Sequence, residues 1–166
     1  MSNLPVSIRG RFKRSVDLTR DFHTAPNIEG YIITPTARKV LGQVHESLDE
    51  ERPERAWTLT GPYGGGKSAF ALFAAHVMRG TPDALGHLRS ADEKLANGFE
   101  NRADDPFCPI LVGGSRQPIC QALLRGLADS VEQFAESAAP EASNGLQSIA
   151  EEARQKAGEQ EVSDEE

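Results

Sequence analysis

Eight consecutive residues, Gly61-Pro62-Tyr63-Gly64-Gly65-Gly66-Lys67-Ser68, fit the pattern GxxxxGK[ST] and so combine the residue types that meet a polyphosphate. A triphosphate carries several negative charges, and this pattern answers them with backbone N–H groups that converge only where the chain wraps tightly. Gly61 marks the exit from the preceding segment, and Gly64, Gly65 and Gly66 supply positions without a Cβ where positive φ and close approach to phosphate oxygens are allowed. Lys67 is placed to lie along the β- and γ-phosphates as a mobile point charge, and the Ser68 hydroxyl suits octahedral Mg2+. Residues Gly61 to Ala69 are therefore the expected ATP-binding set, Lys67 and Ser68 the expected catalytic pair, and Ser68 the expected metal ligand.

Such a loop works only when a strand feeds it and a helix leaves it, with the helix N-terminus aimed at the phosphates. Ala56-Trp57-Thr58-Leu59-Thr60 is rich in aromatic and β-branched types and predicts the strand, while SAFALFAAHVM from Ser68 to Met78 predicts a helix covered on most sides. Arg79-Gly80-Thr81-Pro82 supplies its stop. Upstream, Thr34-Pro35-Thr36 predicts a helix start, and Val40, Leu41, Val44 and Leu48 give a helix over Ala37–Leu48 one apolar face. Downstream come a short helix around Ala84–Leu95, a second strand at Phe107–Val112 closed by Gly113-Gly114, and a helix from Arg116 to about Ala135. The fold expected is α/β: a partial P-loop NTPase three-layer core with a parallel sheet, lacking its later strands.

Three regions follow: an extended basic lead-in at 1–25, a partial nucleotide-binding core at 26–135, and an acidic tail at 136–166. The tail is Ala-, Glu- and Ser-rich with few large apolar residues, so a weak helix near Leu146–Lys156 and a disordered end are expected.

The stretch TLTGPYGGGKSAFALF resembles the P-loop of AAA-type and related ATPases of the additional-strand group. With the Tyr31–Leu41 region ahead of it and PILVGGSRQPICQALLRGLAD behind, it is similar more narrowly to the N-terminal ATPase region of large bacterial proteins associated with phage-defence islands. The resemblance covers roughly residues 28–135. It implies ATP, in keeping with the lack of a guanine-specific NKxD pattern, and coupling of nucleotide turnover to the movement of other subunits or missing domains. It also implies a later strand whose acidic pair completes magnesium binding and activates water, and no such strand is found. Asp104-Asp105 precede the run Phe107-Cys108-Pro109-Ile110, whereas that acid lies at the C-terminal end of a strand; Glu151-Glu152 follow Gln147-Ser148-Ile149-Ala150, which is short and polar. Arg116 touching phosphate, and Tyr31 or Ile33 stacking on adenine, are weaker expectations, because an arginine that opens a helix is ordinarily solvated.

The 166 residues suit one ordinary domain, with 38% hydrophobic and 26% charged content. No run approaches the roughly 20 apolar residues that cross a bilayer, and the N-terminus has no secretory apolar stretch, so no membrane partner and a cytoplasmic setting are expected. The net charge of −7 resides in the tail, leaving the rest close to neutral. Arg9, Arg11, Lys13, Arg14 and Arg20 would suit a nucleic-acid arm, yet a near-neutral body offers phosphate backbones no general attraction, and a solvated terminus is the plainer reading. Cys108 and Cys120 read as free thiols, Cys108 buried, and the four histidines lack metal-ligand spacing.

Two functions of different class fit these residues. One is an ATPase module, with little turnover predicted for a chain without the acidic strand. The other is a regulatory module in which ATP or ADP orders the fold and partner contacts without chemistry. A small-molecule phosphotransferase ranks last, since no lid arginines or acceptor pocket are visible.

Overall fold

The computed structural model describes residues 15–23, 28, 30–48, 55–102, 107–114, 116–137 and 140–163. Seven helices occupy them: α1 (Leu18–His23), α2 (Pro35–Glu46), α3 (Lys67–Met78), α4 (Pro82–Ala91), α5 (Glu93–Glu100), α6 (Ile119–Ser137) and α7 (Pro140–Ser163). None of the helices among the described residues is long and apolar enough to cross a membrane.

The local signals that start and stop the helices are plain. Thr34 Oγ1 accepts the Ala37 amide at 3.1 Å, and Pro35 occupies the first turn of α2 without wasting a donor. At the end of α3, Gly80 takes φ +77°; its amide donates to Val77 O and the Thr81 amide to His76 O, each at 3.0 Å, which satisfies carbonyls the helix would otherwise orphan. Asp92 at φ −157° separates α4 from α5 and accepts the Leu95 amide at 3.0 Å. The single helix expected over Ala84–Leu95 is thus two, because an Asp that caps a new helix ends the old one.

Helix α3 is the hub. Phe70, Phe73 and Val77 join Leu41 of α2, Leu88 of α4 and Phe99 of α5 in the main core, and Tyr31 stacks on Phe73 with ring centroids 4.8 Å apart. On its other side Leu72 and Ala75 meet Phe22 of α1 and Leu111. The extended lead-in expected up to residue 25 contains α1, which Asp17 and Asp21 begin: Asp17 Oδ1 accepts the Arg20 amide at 3.0 Å, and Asp21 Oδ2 accepts the Asp17 amide at 2.9 Å. Residues 1–14 lie outside the described residues.

The expected parallel-sheet α/β core is not formed. Among the described residues there is no strand and no bridge. Residues 55–62 and 107–114 carry no regular secondary structure, and Trp57, Leu59 and Phe107 to Leu111 line a cavity together with α3 residues. The amides and carbonyls of Ala56–Thr60 and Cys108–Val112 make no backbone hydrogen bond; only Phe107, at the edge of the second run, donates to Met78 O at 3.4 Å. Side-chain composition sets the readiness of a segment to extend, but a ladder needs a neighbour at pairing distance, and these two runs do not pair with each other.

The tail departs from its expectation in the other direction. Instead of a weak helix near Leu146–Lys156, α7 spans 24 residues and lies along α6, and of the end expected to be disordered, residues 164–166 lie outside the described residues. Ala150, Ala153 and Ala157 are buried at helical spacing, and Ala150 and Ala153 pack with Ala128 and Val131 of α6. Small side chains permit close approach of two helices without large apolar residues. Arg154 adds ion pairs with Glu132 and, at 3.5 Å, Asp129.

Candidate phosphate-binding loop

The glycine loop keeps the shape its composition requires. Gly64 and Gly66 adopt φ +77° and +78°, a region in which L side chains are strained, and the Gly65 amide donates to Pro62 O at 3.2 Å to close the turn. A Cβ at Gly65 would stand 3.1 Å from Pro62 O, so this position is held to glycine by space. Gly66 caps α3, whose first residue is Lys67. The amides of Gly66, Lys67, Ser68 and Ala69 have no acceptor, the first bonded amide being that of Phe70, which donates to Gly66 O at 2.9 Å. Four unbonded donors therefore meet the positive end of a buried helix at one spot.

Lys67 Nζ donates to Gly61 O at 2.9 Å and Pro62 O at 2.8 Å, folding the side chain back across the loop. The Ser68 hydroxyl is exposed and has no hydrogen-bond partner among the described residues. Tyr63, 97% exposed, points away from the protein. All nine predicted residues from Gly61 to Ala69 thus belong to one continuous turn-and-helix start, and Gly61, Pro62, Gly65, Gly66 and Lys67 line a pocket of about 520 Å³.

Its other wall is apolar, from Tyr31, Ile32, Val40, Leu59 and Phe70, with Thr34 and Thr36 at the entrance to α2. Sequence reasoning named Tyr31 or Ile33 as a base platform. Tyr31 lines the pocket, with its ring committed to Phe73 and its carbonyl to His87 Nε2 at 2.5 Å, whereas Ile33 packs into the core and the exposed Ile32 faces the pocket instead. Alternation along an extended segment decides which of two adjacent isoleucines faces out, and the location of the core that sets the phase was not readable locally.

No family model matches the chain, and no curated protein or solved structure matches it.

The charge in the pocket is of one sign. Lys67 is present and no carboxylate lines the described walls. Glu152 lies on α7 and pairs with Lys156 at 2.7 Å, which holds its carboxyl below the usual range, and neither it nor Glu151 lines the pocket. Asp104 and Asp105 lie outside the described residues. Arg116 is exposed ahead of α6 and does not line the pocket. Among the described residues no group of three or more His, Cys, Asp or Glu side chains could hold a metal by itself. Cys108 is half-buried, its thiol pushed up by desolvation, and Cys120 is exposed; both are free.

Proposed function

We propose that residues 61–69 bind the polyphosphate of ATP together with Mg2+. The observation that carries this reading is the set of four unbonded amides at the start of α3, following two glycines at positive φ and beside a lysine amine, with Gly66 and Lys67 of the set lining a pocket that has an apolar wall. The residues fit the ligand. The amides of Gly66 to Ala69 would hold phosphate oxygens, Lys67 would exchange two loop carbonyls for the β- and γ-phosphates, and Ser68, with a free hydroxyl, would supply one oxygen to Mg2+. Bound magnesium would neutralise phosphate charge. The wall of Ile32, Val40 and Leu59 offers the base an apolar surface.

The lack of a carboxylate on the described walls favours binding without turnover by this chain, a nucleotide-responsive module whose hydrolytic acid, where turnover occurs, comes from another segment or subunit. The resemblance of the loop sequence to AAA-type ATPases, and more narrowly to phage-defence-associated proteins, supports the reading that such a module relays nucleotide state to further domains or subunits.

Calorimetric titration with ATP and Mg2+, with phosphate release assayed in the same samples, tests both halves. Lys67→Ala removes a charge-assisted contact and is expected to weaken binding by about 10- to 100-fold. Binding indifferent to that substitution would end the proposal; phosphate release that depends on Lys67 would refute the non-hydrolysing form and locate an acid outside the described pocket.

A further inference from the structure

The cavity of about 520 Å³ beside the glycine loop has room for a purine or a pyrimidine, and its side chains are of only three kinds. Lys67 supplies the charge, and Tyr31, Ile32, Val40, Leu59 and Phe70 supply apolar surface. Every other polar side chain on the described walls is a hydroxyl, from Thr34, Thr36 and Thr60, and Tyr31 carries one as well. The three threonines are exposed, and Ile32 is 79% exposed. A site tells adenine from guanine with groups of fixed polarity, because adenine offers a donor at N6 where guanine offers an acceptor at O6. A carboxylate or an amide that suits one of them is left unpaired by the other, whereas a hydroxyl both donates and accepts and turns to suit either. Thr34 Oγ1 already accepts the Ala37 amide at 3.1 Å and keeps its own proton to give.

We infer that this pocket takes nucleoside triphosphates as a class, GTP, CTP and UTP as well as ATP. The inference rests on the reading of the glycine loop proposed above and broadens the ligand that loop accepts. The loop holds the polyphosphate, and Ile32, Val40 and Leu59 meet the base by apolar contact, which every base offers through its ring face. Strong discrimination arises where the wrong ligand leaves buried polar groups of the site unpaired. The backbone groups of Ile32, Leu59 and Thr60 do have fixed polarity, but these residues are exposed, so water meets whichever base edge the chain leaves unmatched. What remains is the area of the ring, which favours purines over pyrimidines modestly.

Calorimetric titration of the full chain with ATP, GTP, CTP and UTP in the presence of Mg2+ measures the contribution of the base, and inorganic tripolyphosphate is the probe without one. The dissociation constants for ATP and GTP should lie within about tenfold of each other, with CTP and UTP somewhat weaker, and Lys67→Ala should weaken all four. Ile32→Ala, a change at an exposed side chain, should weaken ATP and GTP by the same factor, about two- to tenfold, and leave tripolyphosphate unchanged. A gap between ATP and GTP wider than about tenfold, or an Ile32→Ala loss confined to one of them, would overturn the inference, because a group of fixed polarity would then be reading the base. Tripolyphosphate binding as tightly as ATP would overturn it too, since the apolar wall would hold no base. Failure of every triphosphate to bind, or binding indifferent to Lys67→Ala, is a different result: it removes the reading of the loop itself, and this inference with it.

Discussion

Replacing Gly66 by Ala isolates the backbone cost of the glycine loop. The φ of +78° places this residue in the left-handed region, and an added Cβ would meet nothing within 4 Å, so no steric clash enters the balance. The left-handed conformation costs an L-residue about 1–2 kcal/mol, and that is the expected loss. Gly42, inside α2, provides the opposite case: its Cβ would also meet nothing within 4 Å, but its backbone is helical, so Gly42→Ala should stabilise by about 0.5–1 kcal/mol. At about 2–4 °C per kcal/mol for a chain of this size, Gly66→Ala should lower the melting temperature by about 2–8 °C and Gly42→Ala should raise it by about 1–4 °C. Gly66→Asn should fall between wild type and Gly66→Ala, because Asn tolerates the left-handed region better than Ala. Urea unfolding followed by circular dichroism gives all four free energies under one slope. A Gly66→Ala protein as stable as wild type would mean that the loop does not hold a left-handed cap, and the convergence of amides argued from it would fall.

Phe73 is 1% exposed and stacked on Tyr31, so Phe73→Ala should cost about 3–5 kcal/mol in chemical denaturation. At Gly98, inside α5, an added Cβ would lie 2.7 Å from the tip of the half-buried His45 ring, so the ring must shift and Gly98→Ala should forgo the gain of about 0.5–1 kcal/mol expected of a helical Gly→Ala change, a gain that His45→Ala should restore in a double-mutant cycle. His76 is buried with Nε2 unpartnered, and desolvation first, then the Arg79 and His23 charges, lower its pKa. The folded state therefore resists its protonation: stability is full above the unfolded pKa of about 6.5 and falls as pH drops from there through the folded value, and His76→Asn should flatten that slope in denaturation curves between about pH 7 and 5. Ala153→Leu would force α7 away from α6 and should cost about 1–3 kcal/mol, visible as faster amide exchange along α7.

The helices were readable where the determinants are near neighbours in sequence. Thr34 with Pro35, the Gly80 stop and the apolar spacing in α3 and α6 each act within a few residues, and the elements stand close to where those signals put them. The strands failed because their defining property is a bond to a distant segment: the composition of Ala56–Thr60 suits a strand, yet nothing local says whether a neighbour will pair with it, and none does. The α6–α7 pair was missed for a related reason. Alanines at 150, 153 and 157 look like weak core formers until a second helix with Ala128 is set against them. At the candidate site the positive-φ glycines and the helix start were legible, while the apolar wall required knowing that α2 and the Tyr31–Ile32 segment lie beside the loop.

The resting contact of Lys67 with two carbonyls has a bearing on selectivity. Any ligand that enters must draw the amine from oxygens it already holds at 2.8 and 2.9 Å. A neutral or singly charged molecule offers little more than the loop itself does, so its net gain is small; a cluster of phosphate oxygens offers a stronger, charge-assisted exchange. On the proposed reading, internal competition for the lysine would set a threshold of ligand charge and bias the loop toward di- and triphosphates over nucleosides and monophosphates before any part of the base is recognised.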